Sequence, residues 1–333
     1  EFSPNLVEAA LLKAQQNCFA VGLTTVDDAG LGKDSIAILQ KLQTAGKLKM
    51  RIYAMMSDAV DTRDHFFKTG PIVSDRLTVR ALKVYADGAL GSRGACLKES
   101  YSDQPNHFGY MLYNEMYLDT LAQQAKKNGF QFCTHAIGDS AVESVLRIYK
   151  KYVSGENNRR WRIEHCQVVS PKTMRMFGDN SIIPSVQPTH ATSDMYWAEA
   201  RLGSERIKYA YAYNDLLQGA EGIIALGTDF PVESINPLYT FYAAIQRKDL
   251  KGNPPDGFQK ENELSKKDAL RGMTIWAAYA NFEDEIKGSL EEDKFADFVV
   301  LDKDIMEISD KKIPDVKVLA TYLNGEQVFS ADK

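Results

Sequence analysis

Four ionisable side chains stand at the ends of short apolar segments: Lys83 in ALKVYADG, His135 in FQFCTHAIGD, His165 in WRIEHC and Asp229 in IIALGTDF. Two imidazoles and a carboxylate oxygen form a donor set suited to zinc or a similar divalent ion. Lysine is the misfit, because an ammonium repels a cation. For any one histidine, a hydrogen-bonded structural role is the plainer reading. Four inward ionisable groups at one mouth need a common partner, since buried charge is costly unless paired or bound to metal.

The elements that must position these groups alternate. Helical stretches such as SIAILQKLQTAG, LDTLAQQAKKNG and AVESVLRIYKKY are each followed by a strand-like run, about seven strands in all. Such βα units imply parallel strands joined by right-handed crossovers, one strand short of a closed (β/α) barrel. A period of two places Lys83, Tyr85 and Asp87 on the inner face of one strand and Gln131, Cys133 and His135 on that of another. The same rule turns Trp161, Ile163 and His165 inward and Arg162 and Glu164 toward the helices. In the last strand it turns Ala225, Gly227 and Asp229 to one side. His190 is expected at the end of the strand in IIPSVQPTHA, and Gly138-Asp139 are expected to turn the chain and cap the helix after His135. The tail, with Asn324-Gly325 as a hairpin turn, reads as part of a small β appendage. The division is therefore a barrel over 1–288 and an appendage over 289–333.

The totals exclude several classes. The 333 residues carry 44% hydrophobic and 26% charged side chains, an ordinary globular composition. No apolar run reaches the ~20 residues that span a bilayer, so no membrane role is expected. A formal charge of −5 gives no basic face for nucleic acid. Four scattered cysteines suggest reduced thiols in a cytoplasmic setting rather than a disulfide framework.

Taken in order, Lys83, His135, His165 and Asp229, followed by GSLEEDKFADFVVLD, resemble the amidohydrolase superfamily of metal-dependent hydrolases. The phrases LKVYADGALGSRGA, THAIGD, RIEHC, LGTDFPV and ALRGMTIWAAYA are similar to its YtcJ-like branch, which includes N-substituted formamide deformylases. The resemblance implies an α/β fold, a TIM-like barrel with a small β-sandwich. It also implies a divalent metal, zinc above all, held by Lys83, His135, His165 and Asp229, with Lys83 carbamylated into a carboxylate-like ligand. The family's His-x-His pair on its first strand has no counterpart among the five histidines here, which is expected either of a chain shortened at its N-terminus or of a decayed site. Shortening is favoured, because decay would not spare the other four positions. The sheet edges then exposed would favour association with another chain, as in a homo-oligomer.

The implied activity is hydrolysis of an amide, formamide or related C–N bond in a small-molecule substrate, with Asp229 moving the proton of the attacking water. Tyr85 would line the substrate pocket, Arg93 would bind a substrate anion, and His190 would contact substrate or donate to an oxyanion; for Arg93 and His190 a structural role is as strong a reading. Activity in a shortened form would be weak or absent. A non-catalytic scaffold on a degenerate barrel and a Schiff-base enzyme using Lys83 are the competing readings.

Overall fold

The alternation of Phe130, Phe132 and Thr134 with Gln131, Cys133 and His135 is realised as a strand whose apolar side meets a helix and whose other side lines a concave interior. In the computed structural model, which describes residues 4–153 and 158–331, eight strands form one curved sheet: β1 (Thr25–Leu31), β2 (Arg51–Ser57), β3 (Ile72–Val73), β4 (Leu77–Tyr85), β5 (Gln131–Ala136), β6 (Arg162–His165), β7 (Ile183–Val186) and β8 (Ala225–Leu226). Seven run parallel in the order β1-β2-β4-β5-β6-β7-β8, and the short β3 lies antiparallel on β4. This is the TIM-like open barrel expected. Helices on its convex face bury Leu82, Val84, Phe132 and Ile163 completely or nearly so. Trp161 anchors that layer, edge-on to Phe132 at 5.6 Å and to Tyr149 at 4.9 Å.

The tail forms a separate antiparallel sheet of β9 (Phe298–Leu301), β10 (Val318–Leu323) and β11 (Glu326–Ser330). Asn324 and Gly325 both take positive φ, 51° and 78°, as a two-residue hairpin turn requires. Asp297 binds Arg51 of β2 through both carboxylate oxygens, at 2.5 and 3.0 Å, and the Thr321 hydroxyl donates to the Phe19 carbonyl at 2.7 Å. The appendage is thus fastened to the barrel by buried polar contacts as well as by packing. No described helix is long and apolar enough to cross a membrane.

Two expectations about strand geometry are corrected. Arg162 and Glu164 face the barrel interior, and Trp161 and Ile163 face the helices. In the parallel register Cys133 lies beside Arg162, and neighbouring residues in a sheet share a face. The interior also supplies what a buried guanidinium needs: Arg162 donates to Glu164 Oε1 at 3.0 Å, Asp27 Oδ2 at 2.9 Å and Asn281 Oδ1 at 2.8 Å. Second, β7 ends at Val186. Pro188 opens a helix running to Arg206, where its fixed φ and missing N–H are tolerated, so His190 lies in a first helical turn rather than at a strand end.

Candidate active site at the barrel mouth

By alternation alone, His165 would point toward the helices, since its register partner is Ala136. It does not, because the backbone breaks there: His165 and Cys166 take φ of 76° and 46°. Left-handed backbone at two successive non-glycine residues is strained and is found where a site demands it. The break swings the His165 ring to 4.5 Å from that of His135. Asp229, at φ 58°, makes a similar break after β8.

The result is a line of three imidazoles ending on a carboxylate. The His165 and His190 rings stack at 6.0 Å, and His190 Nε2 is 3.6 Å from Asp229 Oδ2. Ligand atoms of His165, His190 and Asp229 all lie within 4.8 Å of one another. Lys83 is buried beside them, its Nζ 3.9 Å above the Tyr85 ring. Burial pushes its pKa down, opposed by the charge of Glu164 and, less strongly, of Cys133 and Asp229. Tyr85 is 42% exposed and closes one side of the mouth, 5.4 Å from His135.

All three rings are held neutral. Burial drives His135 down to about 2, with the charges of His165 and Lys83 adding to it; burial likewise takes His165 to about 4 and His190 to about 3. Nε2 of His135 and of His190 is buried without a hydrogen-bond partner. Buried polar nitrogens are normally paired. Neutral imidazoles beside a carboxylate are the chemistry a divalent cation requires, so the donor set of His135, His165 and Asp229 fits a metal such as zinc.

Several supporting residues had no assigned role in the sequence. Asp87, wholly buried, accepts N–H bonds from Cys96, Ile137 and Gly138 at 2.9 to 3.0 Å and lies 3.6 Å from His135 Nε2. Burial raises it to about 7 against those bonds. Gln187 faces His165 Nδ1 at 2.8 Å and Gln167 faces His190 Nδ1 at 3.2 Å. The inward face given to Asp87 by the period of two was its signal; the glutamines had none, because an amide in a loop is unremarkable until the fold brings it to a ring. Gly138 is itself the helix N-cap, and Asp139 accepts the Lys98 N–H at 2.9 Å instead of capping that helix. The guanidinium of Arg93 is held by Asp103 through two bonds of 3.0 and 2.9 Å and makes no bond to the cluster.

A model of the amidohydrolase family matches residues 4–329. The chain belongs to the amidohydrolase family. Among curated proteins it is 33% identical to Protein LONG AFTER FAR-RED 3 of Arabidopsis thaliana, over 99% of this chain and 58% of that one. It is 31% identical to putative amidohydrolase YtcJ of Bacillus subtilis, over 98% and 62%, and 25% identical to the N-substituted formamide deformylase of Arthrobacter pascens, over 95% and 59%. These relatives support the YtcJ-like branch. This amidohydrolase-family chain spans about three fifths of their length. A solved structure of an uncharacterised metal-dependent hydrolase from Pyrococcus horikoshii superposes with a TM-score of 0.84 at 27% identity, covering 93% of this chain and 62% of that one.

Proposed function

We propose that the barrel mouth is the metal-dependent centre of a hydrolase acting on an amide, formamide or related C–N bond of a small molecule. The observation that carries this reading is the convergence of neutral His135, His165 and His190 with Asp229 and buried Lys83 at the C-terminal end of a parallel barrel, the end where such folds place their chemistry. Zinc is the ion the donors suit best, with His135, His165, Asp229 and a carbamylated Lys83 as its holders. A bound divalent ion supplies Lewis acidity and makes water more acidic. The metal-dependent hydrolase from Pyrococcus and the deformylase from Arthrobacter lend the reading its metal and its bond type.

The chain's own residues do the rest. Asp229, whose carboxyl burial raises, takes the proton of the attacking water and returns it to the departing amine. Lys83, whose ammonium burial disfavours, would add carbon dioxide through its neutral amine fraction. Tyr85 walls the substrate, and Arg93 would reach a substrate anion only by leaving Asp103. The test is hydrolysis of a panel of N-substituted formamides and simple amides by the metal-supplemented protein. Turnover that disappears together with metal in His165→Ala supports the reading. A fully active, metal-loaded His165→Ala protein would sink it.

A further inference from the structure

Two imidazoles at the mouth, His165 and His190, are not equivalent, because their Nδ1 atoms have different partners. His165 Nδ1 faces Gln187 Oε1 at 2.8 Å, and the Gln187 amide cannot turn over freely, because its Nε2 donates to the Ser185 carbonyl at 3.5 Å. A carbonyl only accepts, so the oxygen of Gln187 must be the atom toward the ring, and His165 Nδ1 must carry the hydrogen. His165 therefore offers a bare Nε2 lone pair.

His190 is reversed. Its Nδ1 meets Gln167 Nε2 at 3.2 Å, a donor, so the lone pair sits on Nδ1 and the hydrogen on Nε2. A second contact agrees: Nε2 lies 3.6 Å from Asp229 Oδ2, where an N–H is attracted to the carboxylate and a lone pair is repelled. Nε2 is also buried with no hydrogen-bond acceptor of its own, which leaves that N–H available to an incoming oxygen.

We infer that Gln187 and Gln167 are positioning residues that set opposite tautomers: Gln187 makes His165 a lone-pair donor to a cation, and Gln167 makes His190 an N–H donor to the substrate's carbonyl oxygen. The tautomers stand on hydrogen-bond geometry alone, whereas the role toward a carbonyl rests on the hydrolase reading. The inference takes His190 out of the set of ligands although it lies within reach of them. It gives the site a donor aimed where negative charge develops as water adds to a carbonyl.

The test is long-range 1H–15N NMR of the chelator-treated protein labelled with 15N-histidine, at pH 7.5. Signals of His65 and His107, which lie outside the site, are assigned by their loss in His65→Gln and His107→Gln. Of the remaining rings, His165 is expected in the Nδ1–H form, its signal lost in His165→Gln, and His190 in the Nε2–H form, its signal lost in His190→Gln. In Gln167→Leu the Nε2–H share of that ring should fall, with only Asp229 still favouring it, while the His165 ring stays unchanged. If His190→Gln does not fold, the ring whose tautomer responds to Gln167→Leu identifies His190. His165 in the Nε2–H form, His190 in the Nδ1–H form, or an unchanged Nε2–H share in Gln167→Leu overturns the inference. Failure of the protein to hydrolyse any amide would instead overturn the proposed function and leave the tautomers standing.

Discussion

Arg162 and Glu164, two residues apart on β6, share a 3.0 Å hydrogen bond inside the barrel, directly beneath the histidines that β5 and β6 present at the mouth. The pair is nearly inaccessible to solvent, and Arg162 is completed by Asp27 and Asn281. Two charges so far from water persist only because each satisfies the other. Arg162→Met should therefore strip Glu164 of its hydrogen-bonded partner, leaving Lys83 as the cation near it, and destabilise the fold by about 3 kcal/mol. Urea unfolding followed by circular dichroism checks this, and a variant as stable as the wild type would show that the network is dispensable.

Gly138 is a site of close backbone approach. A Cβ built there would fall 2.1 Å from the Cys96 carbonyl oxygen, which belongs to the loop that Asp87 organises. Gly138→Ala must push that loop away and, with it, the end of β5 that carries His135. A loss of about 2 kcal/mol or more in unfolding free energy is expected, as for other overpacked sites, together with weaker metal retention. Equal stability in urea would contradict the packing described.

Asp87 joins three backbone N–H groups from two loops. Asp87→Ala orphans all three, each at about 1–3 kcal/mol when it stays buried. Asp87→Asn keeps one acceptor oxygen, so its thermal midpoint should fall between those of the wild type and Asp87→Ala. An order in which Asn is no better than Ala would mean that the carboxylate acts otherwise than by accepting these bonds.

The β4 and β5 segments were legible because their neighbours obey simple alternation, and Lys83 and His135 lie on the inner face that the period of two assigns. β6 was not legible. Its alternation is inverted relative to the sequence reading, and His165 reaches the mouth only through a left-handed break that no local pattern announces. His190 was misplaced for a related reason: Pro188 can end a strand or open a helix, and tertiary context decides which. The hairpin at Asn324-Gly325 was plain because that dipeptide favours a backbone conformation of its own.

The neutral rings give a pH dependence with a definite sign. In the metal-free protein His135 binds a proton only near 2, whereas in the unfolded chain it does so near 6.5. The unfolded state thus takes up a proton first, so this residue's contribution to stability is present above pH 6.5 and is lost as the pH falls toward 2. His135→Gln removes that contribution. Between pH 6 and pH 4 the wild type should lose up to about 1.4 kcal/mol more stability per pH unit than the variant. Parallel stability curves from urea titrations would show that the ring is not held neutral by the fold.

The most direct measurement is elemental analysis of the protein purified without chelator, beside His165→Ala and a His135→Ala/His165→Ala double variant prepared in the same way. If the mouth is a metal centre, the wild type should retain about one zinc or similar divalent ion per chain, and both variants should lose it while remaining folded. A wild type free of metal even after zinc is supplied, or variants that keep a full equivalent, would contradict the assignment of these histidines.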